Sequence, residues 1–171
     1  TVLELKGENT FKNNGSVAIR NKGTTNFAEK STTDFIKNEL DISNTGTINI
    51  GQGAVVNLGT GMTGYGTVNI AGALNGRVFV AEGEESKGAN SIVLDEGGTW
   101  NMTGDSVVAG IVSDGDVTID GVDGNSLTVN NTITEKGKYA ITHNGGTLTI
   151  KNLTIEDVVK AYNKQPANDN G

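Results

Sequence analysis

Gly46-Thr47-Ile48-Asn49-Ile50 is followed twenty residues later by Gly66-Thr67-Val68-Asn69-Ile70. In each stretch a glycine opens a run whose apolar residues alternate with Thr and Asn. That is the period-two signature of a strand with one buried and one outward face. The same phrase returns at Gly15-Ser16-Val17-Ala18-Ile19, Gly76-Arg77-Val78-Phe79-Val80, Gly98-Thr99-Trp100-Asn101-Met102, Gly115-Asp116-Val117-Thr118-Ile119 and Gly146-Thr147-Leu148-Thr149-Ile150. Shorter echoes lie between them, at Val56-Asn57-Leu58, Ile92-Val93-Leu94, Leu127-Thr128-Val129 and Leu153-Thr154-Ile155. A disordered chain has no reason to keep one alternating template through seven copies.

Composition narrows the class. Gly, Asn and Thr supply 67 of the 171 residues, and neither Gly nor Asn favours helix while Thr favours strand, which excludes a helical bundle. The net charge of -7 argues against nucleic-acid partners and anionic membrane surfaces, since no basic run is present to release counterions. No window is long and apolar enough for membrane insertion, and Thr1 opens no cleavable leader pattern. We therefore expect the chain to begin at a mature end or inside a longer protein. The absence of cysteine removes disulfides and thiolate metal sites, and no cofactor is expected.

Turn chemistry leaves two architectures in play. Asn14-Gly15, Asn75-Gly76, Asp114-Gly115, Asp120-Gly121, Asp123-Gly124 and Asn144-Gly145 are dipeptides that close antiparallel hairpins. Strands of only three to five residues recurring about every ten, however, suit the corners of a coil in which one residue per corner takes a positive φ. The reading adopted is all-β: a right-handed parallel β-helix of roughly seven or eight coils, with an antiparallel β-sandwich as the alternative. Residues 1–155 form its single domain, with 24–43 and 81–91 as loop excursions and 156–171 as a C-terminal cap or loose tail. Thr154-Ile155-Glu156-Asp157 reads as a capping box ahead of a short helix containing Val158, Val159, Ala161 and Tyr162.

The run Gly145-Gly146-Thr147-Leu148-Thr149-Ile150-Lys151-Asn152-Leu153-Thr154-Ile155, together with Thr45 to Gly76, resembles the passenger region of bacterial autotransporters, the type V secretion family. The likeness extends from about Asn44 to Ile155. It implies a fragment of a larger passenger, anchored at the outer membrane of a bacterium or secreted, acting as an adhesin or stalk. The partner implied is a host-cell protein or glycan receptor. A signal peptide, a protease motif and a translocating barrel, all expected of a whole autotransporter, are absent from this stretch.

Interruptions of the repeat are where function is sought. Gly15 and Gly46 stand 31 residues apart, and the segment between them holds Phe27, Phe35 and Ile36 among charged residues. A protruding loop would present Phe27 and Phe35 to a partner. The plainer reading is a coil of different register, with those rings packed inside or closing an open end. Ala81 to Asn90 reads as an exposed excursion carrying Glu82, Glu84 and Glu85, which in the plain reading are simply solvated. Phe79 takes an outward position where other copies hold Asn or Thr, with Arg77 on the same face, a candidate contact pair. Trp100 falls inward. Asp114, Asp116, Asp120 and Asp123 lie among glycines and are weak calcium candidates, because Asx turns account for turn acids without a metal.

Catalysis is not expected. Glycoside cleavage needs two carboxylates facing one bond, and lyase chemistry needs a base with cations, whereas Arg20 and Arg77 are the only arginines and belong to different repeats. His143 sits before a strand with no carboxylate beside it in sequence and reads as a turn histidine. A polysaccharide-acting β-helix enzyme is the alternative function. An ice-binding solenoid is another, prompted by outward pairs at Thr47/Asn49, Thr67/Asn69, Thr99/Asn101, Thr132/Thr134 and Thr147/Thr149.

Overall fold

The computed structural model describes residues 1–130 and 139–157. Alternating stretches form short strands whose neighbours lie one turn away in sequence, and every strand pair is parallel. The chain is a parallel β-helix. The first face stacks β1 (Val2–Leu5), β4 (Thr24–Phe27), β7 (Thr47–Ile50), β10 (Thr67–Ile70), β12 (Ser91–Leu94), β15 (Gly110–Ser113) and β18 (Ile141–His143). The second stacks β2 (Glu8–Lys12), β5 (Thr32–Ile36), β8 (Val55–Asn57), β11 (Ala73–Asn75), β13 (Thr99–Asn101), β16 (Val117–Asp120) and β19 (Leu148–Lys151).

The third face begins with β3 (Val17–Asn21), β6 (Leu40–Asn44) and β9 (Met62–Gly64) and resumes with β14 (Ser106–Val108), β17 (Ser126–Val129) and β20 (Thr154–Asp157). Val78 joins the halves, bridging Met62 and accepting a hydrogen bond from the Val107 amide at 2.8 Å. Three faces stacked this way make about six turns.

The coil count is lower than the seven or eight expected because the 20-residue turn from Gly46 to Gly66 is shorter than others: Ser113 and His143, on the same face, lie 30 residues apart, and the repeat phrases do not all mark the same face. Gly15 leads into the third face, Gly46 and Gly66 into the first, and Gly98, Gly115 and Gly146 into the second. Spacing between phrases therefore measures coil length only when both fall on one face. Equivalent side chains lie 18 residues apart at Asn57–Asn75 and 26 apart at Asn75–Asn101.

The excursion expected over 24–43 is likewise corrected: this segment holds β4, β5 and β6 in ordinary register. Its inward positions include Thr25 and Thr33, which masked the apolar alternation in the sequence. The capping box expected at Thr154–Asp157 is instead β20, in register with β17. The helix expected beyond it lies outside the described residues, as do Thr132 and Thr134.

Inward side chains form one column, from Leu5 and Ile19 through Ile48, Val68 and Leu74 to Ile119 and Val129. Each buried aliphatic contributes about 1.5–3 kcal/mol of transfer free energy, and like stacks on like, as with Ile48 on Val68 and Val68 on Ile92. Trp100 is the largest member, 0% exposed, its Nε1–H donating to the Gly76 carbonyl at 3.0 Å. In the last described turn Ile150 stacks on the fully buried Ile119 and is 39% exposed.

Asparagines form ladders outside the core. On the first face Asn69 Nδ2 donates to Asn49 at 2.8 Å, Asn49 to Asn26 at 2.8 Å, and Asn26 to Glu4 at 2.5 Å. On the second face Asn101 donates to Asn75 at 2.7 Å, Asn75 to Asn57 at 2.8 Å, and Asn57 to Asp34 at 2.8 Å. A buried corner ladder runs the other way: Asn21 donates to Asn44 at 2.8 Å and Asn44 to Asn90 at 3.0 Å. Its last amide, Asn90 Nδ2, finds no acceptor.

Truncating the central anchor should be costly. Trp100→Ala should lower unfolding free energy by about 3–5 kcal/mol, read from denaturant unfolding followed by far-UV circular dichroism. A loss below about 1 kcal/mol would mean the column collapses around the missing indole, contrary to the packing described.

Candidate functional site

The outward positions of the third face and its following corner form two stacked columns. Ile19, Ile42 and Met62 point into the core, so their successors Arg20, Ser43 and Thr63 line up outside in consecutive turns. After the corner come Lys22, Thr45 and Tyr65. The Thr45 amide donates to the Asn21 carbonyl at 2.9 Å, and the Tyr65 amide to the Asn44 carbonyl at 2.9 Å, which fixes these residues at matching points of successive turns.

Residues 81–90 are inserted one turn further on and carry a single 3-10 turn at Glu85–Lys87. They wall off a groove of about 350 Å3 whose floor is the two columns. Glu84 and Lys87 form an ion pair of 2.6 Å on this wall. The Glu84 carboxylate holds the Lys87 ammonium above its ordinary value, through the hydrogen bond first and its charge second. Gly88 backs onto Tyr65, with space there for no more than ordinary contact. Tyr65 is 51% exposed, while Thr63 lies nearly covered on the groove floor.

Gly64 makes this geometry available. It occupies the place of Asn21 and Asn44 on the next turn and takes φ +120, a conformation that side chains rarely adopt. Any side chain there would also collide with the Asn44 backbone. Its bareness lets the Asn44 amide reach Asn90, whose Oδ1 also accepts from the Gly66 amide at 3.0 Å. The insertion is thereby fastened to the corner ladder.

The residues singled out from sequence are not brought together. Phe27 and Phe35, candidates for contact, are 1% and 3% exposed, so they are core residues and present nothing to a partner. They meet edge-on at 6.5 Å, and Phe35 stacks on Phe11 at 5.1 Å. Arg77 and Phe79 pair with each other: the guanidinium lies 3.7 Å above the ring. Glycines on adjoining turns accommodate the pair, since a methyl at Gly61 would stand 2.9 Å from both residues and one at Gly104 would stand 2.9 Å from Arg77 Cδ. Glu82, Glu84 and Glu85 are exposed on the insertion, and only Glu84 lines the groove.

The four aspartates are dispersed in role. Asp116 accepts from the Thr147 amide at 2.8 Å, one turn away. Asp120 accepts from the Val122 amide at 2.8 Å and from Asn152 Nδ2 at 3.1 Å, with Lys151 Nζ at 3.6 Å. Asp114 and Asp123 stand exposed. Among the described residues no group of three or more His, Asp or Glu side chains is placed to hold a metal ion.

His143 closes β18 instead of lying in a turn. Its Nε2 contacts the Gly146 carbonyl at 2.9 Å and its Nδ1 the Ser113 hydroxyl at 2.9 Å. A carbonyl only accepts, so Nε2–H donates to Gly146, and the Ser113 hydroxyl, which can donate or accept, meets Nδ1. Ser113 is fully buried, which makes this a structural clasp.

Sequence reasoning missed Tyr65, Lys22 and Thr45 because nothing local marks them. The available signal was indirect: Gly64 falls where the two preceding turns carry Asn, one turn before the acidic insertion at 81–90. No protein-family model, curated protein or solved structure matches the chain. What the fold and site define is a parallel β-solenoid with a walled, partly basic groove.

Asp120 offers a direct check of the turn-to-turn contacts. The Val122 amide and then Asn152 hold its carboxyl below the ordinary 3.8, aided by Lys151. A depressed acid stabilises the folded chain above its unfolded pKa and stops doing so as pH falls through its folded pKa. We expect the Asp120 carboxyl to titrate below 3.8 by NMR, moving upward in Asn152→Ala, with the β16–β19 edge loosening only at more acidic pH. An ordinary midpoint in the native chain would contradict the contact.

Proposed function

We propose that the chain is a non-catalytic module displayed outside a bacterial cell, a stiff rod that carries or presents an adhesive surface. In this reading it belongs to a larger autotransporter-like passenger, anchored at the outer membrane or secreted, and its partner is a host-cell protein or glycan. The observation that carries the reading is the walled groove held on a regular solenoid. The stack gains length turn by turn and offers long lateral faces, and the insertion at 81–90 shapes one of them.

The chemistry of the groove supports binding without turnover. Its single carboxylate, Glu84, is engaged by Lys87, so no second carboxylate faces it across a substrate-sized gap as glycoside cleavage requires. The outward asparagines that prompted the ice-binding alternative spend their amides on one another in ladders, which disfavours that reading.

Binding and catalysis separate cleanly in one experiment. The purified chain should bind cells saturably without releasing reducing ends or unsaturated products from polysaccharide. Replacing residues 82–87 by a short Gly-Ser turn should abolish capture while leaving the far-UV spectrum intact. The replacement must spare Ala89 and Asn90, which are buried. Product release, or capture indifferent to this change, would overturn the proposal.

A further inference from the structure

Resting on that reading of the groove as a binding surface, we infer that it accepts a carboxylated saccharide, a chain containing uronic-acid units. The first ground is charge. In a chain of net charge -7, the groove collects Arg20, Lys22 and Lys87 against one carboxylate, Glu84. Lys87 and Glu84 neutralise each other, and among the described residues neither Arg20 nor Lys22 is engaged in an ion pair. Both side chains are exposed, which leaves two free cations on either side of the buried Asn21, at the end of β3 and just beyond it. Such a local reversal of sign draws anions to this spot and away from the acidic remainder.

The second ground is the character of the floor. Ser43 and Thr63 present hydroxyls that both donate and accept, the same dual capacity as the hydroxyls of a sugar. Tyr65 stands half out of the surface beside them, an aromatic face for the apolar side of a pyranose with a polar tip above it. Arg20 supplies the planar fork that pairs with a carboxylate through two parallel hydrogen bonds. At about 350 Å3 the groove is at the small end of small-molecule sites, and its open side leaves room for a chain to run on. Nucleic acid would need more cations and further stacking surfaces than one tyrosine.

Trigalacturonate is the probe, with the same trisaccharide reduced at its carboxyls as the neutral control. Titrated into the intact isotopically labelled chain, trigalacturonate should shift amides of the third-face corner and of 81–88, and the reduced sugar should bind at least about tenfold more weakly. Arg20→Ala and Lys22→Ala each lose a charge-assisted contact and should weaken binding by about tenfold or more. Tyr65→Ala should weaken it as well, with Tyr65→Phe retaining most of the affinity. Because Arg20 and Lys22 are exposed, these variants keep the fold.

Equal binding of the reduced sugar, indifference to Arg20→Ala and Lys22→Ala, or no shifts in the groove would each overturn the inference. The two proposals fail separately. Cell capture that survives Arg20→Ala with Lys22→Ala but not replacement of 82–87 would sink the uronate site and leave the surface module standing. Tight trigalacturonate binding by a chain that captures no cells would do the reverse.

Discussion

The strand residues of this solenoid rest on counterparts one turn away, and that in-register stacking constrains all else. A column must consist of groups that tolerate their own kind at strand spacing. Aliphatic side chains do so without further arrangement, and the core column follows. Carboxamides also do so, because each amide offers a donor and an acceptor and passes one bond along. Carboxylates do not. An ionised acid only accepts, so it can end a ladder but not extend one. Glu4 and Asp34 stand at the ends of the two outer ladders, receiving the last amide in each. The abundance of Asn and the modest charge content are thus two consequences of one geometry.

The same constraint decides what could be read from sequence. The alternation in Gly46–Ile50 and Gly66–Ile70 marked strands and their inward faces directly, because both phrases occupy the first face and their spacing is one full turn. The inward position of Trp100 followed from alternation as well. Residues 24–43 were harder, since Thr25 and Thr33 take inward positions with polar side chains; Thr25 is satisfied by donating to Asn21 Oδ1 at 3.0 Å. Phe27 and Phe35 looked like surface candidates for the same reason: without the register, an aromatic among charged residues cannot be assigned a side. The groove was beyond local reading altogether. Arg20, Ser43 and Thr63 become neighbours only once the turn length is known at each step, and that length varies.

The groove itself is a product of interrupted stacking. At Gly64 the corner ladder loses a member, and Asn44 spans the gap to Asn90, 46 residues away. A ladder bond of that reach ties the start of the β12 turn to a position two turns earlier, across the place where 81–90 leaves and rejoins the coil. The insertion is held at its root although its tip is exposed. Arg77 and Phe79 fill the neighbouring part of the face, with bare glycines on the adjoining turns making room for them. Where like cannot stack on like, the fold substitutes a large residue between small ones.

Insertions in such a molecule are tolerated only at corners. One residue added inside a strand would reverse its alternation and turn the inward column outward. The 81–90 insertion lies after the third face and before the first, between Val78 and β12. Lys22, Thr45 and Tyr65 also occupy this corner. The 81–90 insertion and the departure from Asn at Gly64 thus share one edge of the solenoid, while Asn26, Asn49 and Asn69 ladder along the first face and Asn57, Asn75 and Asn101 along the second. A solenoid built by stacking can concentrate its differences on such an edge without disturbing the column beneath.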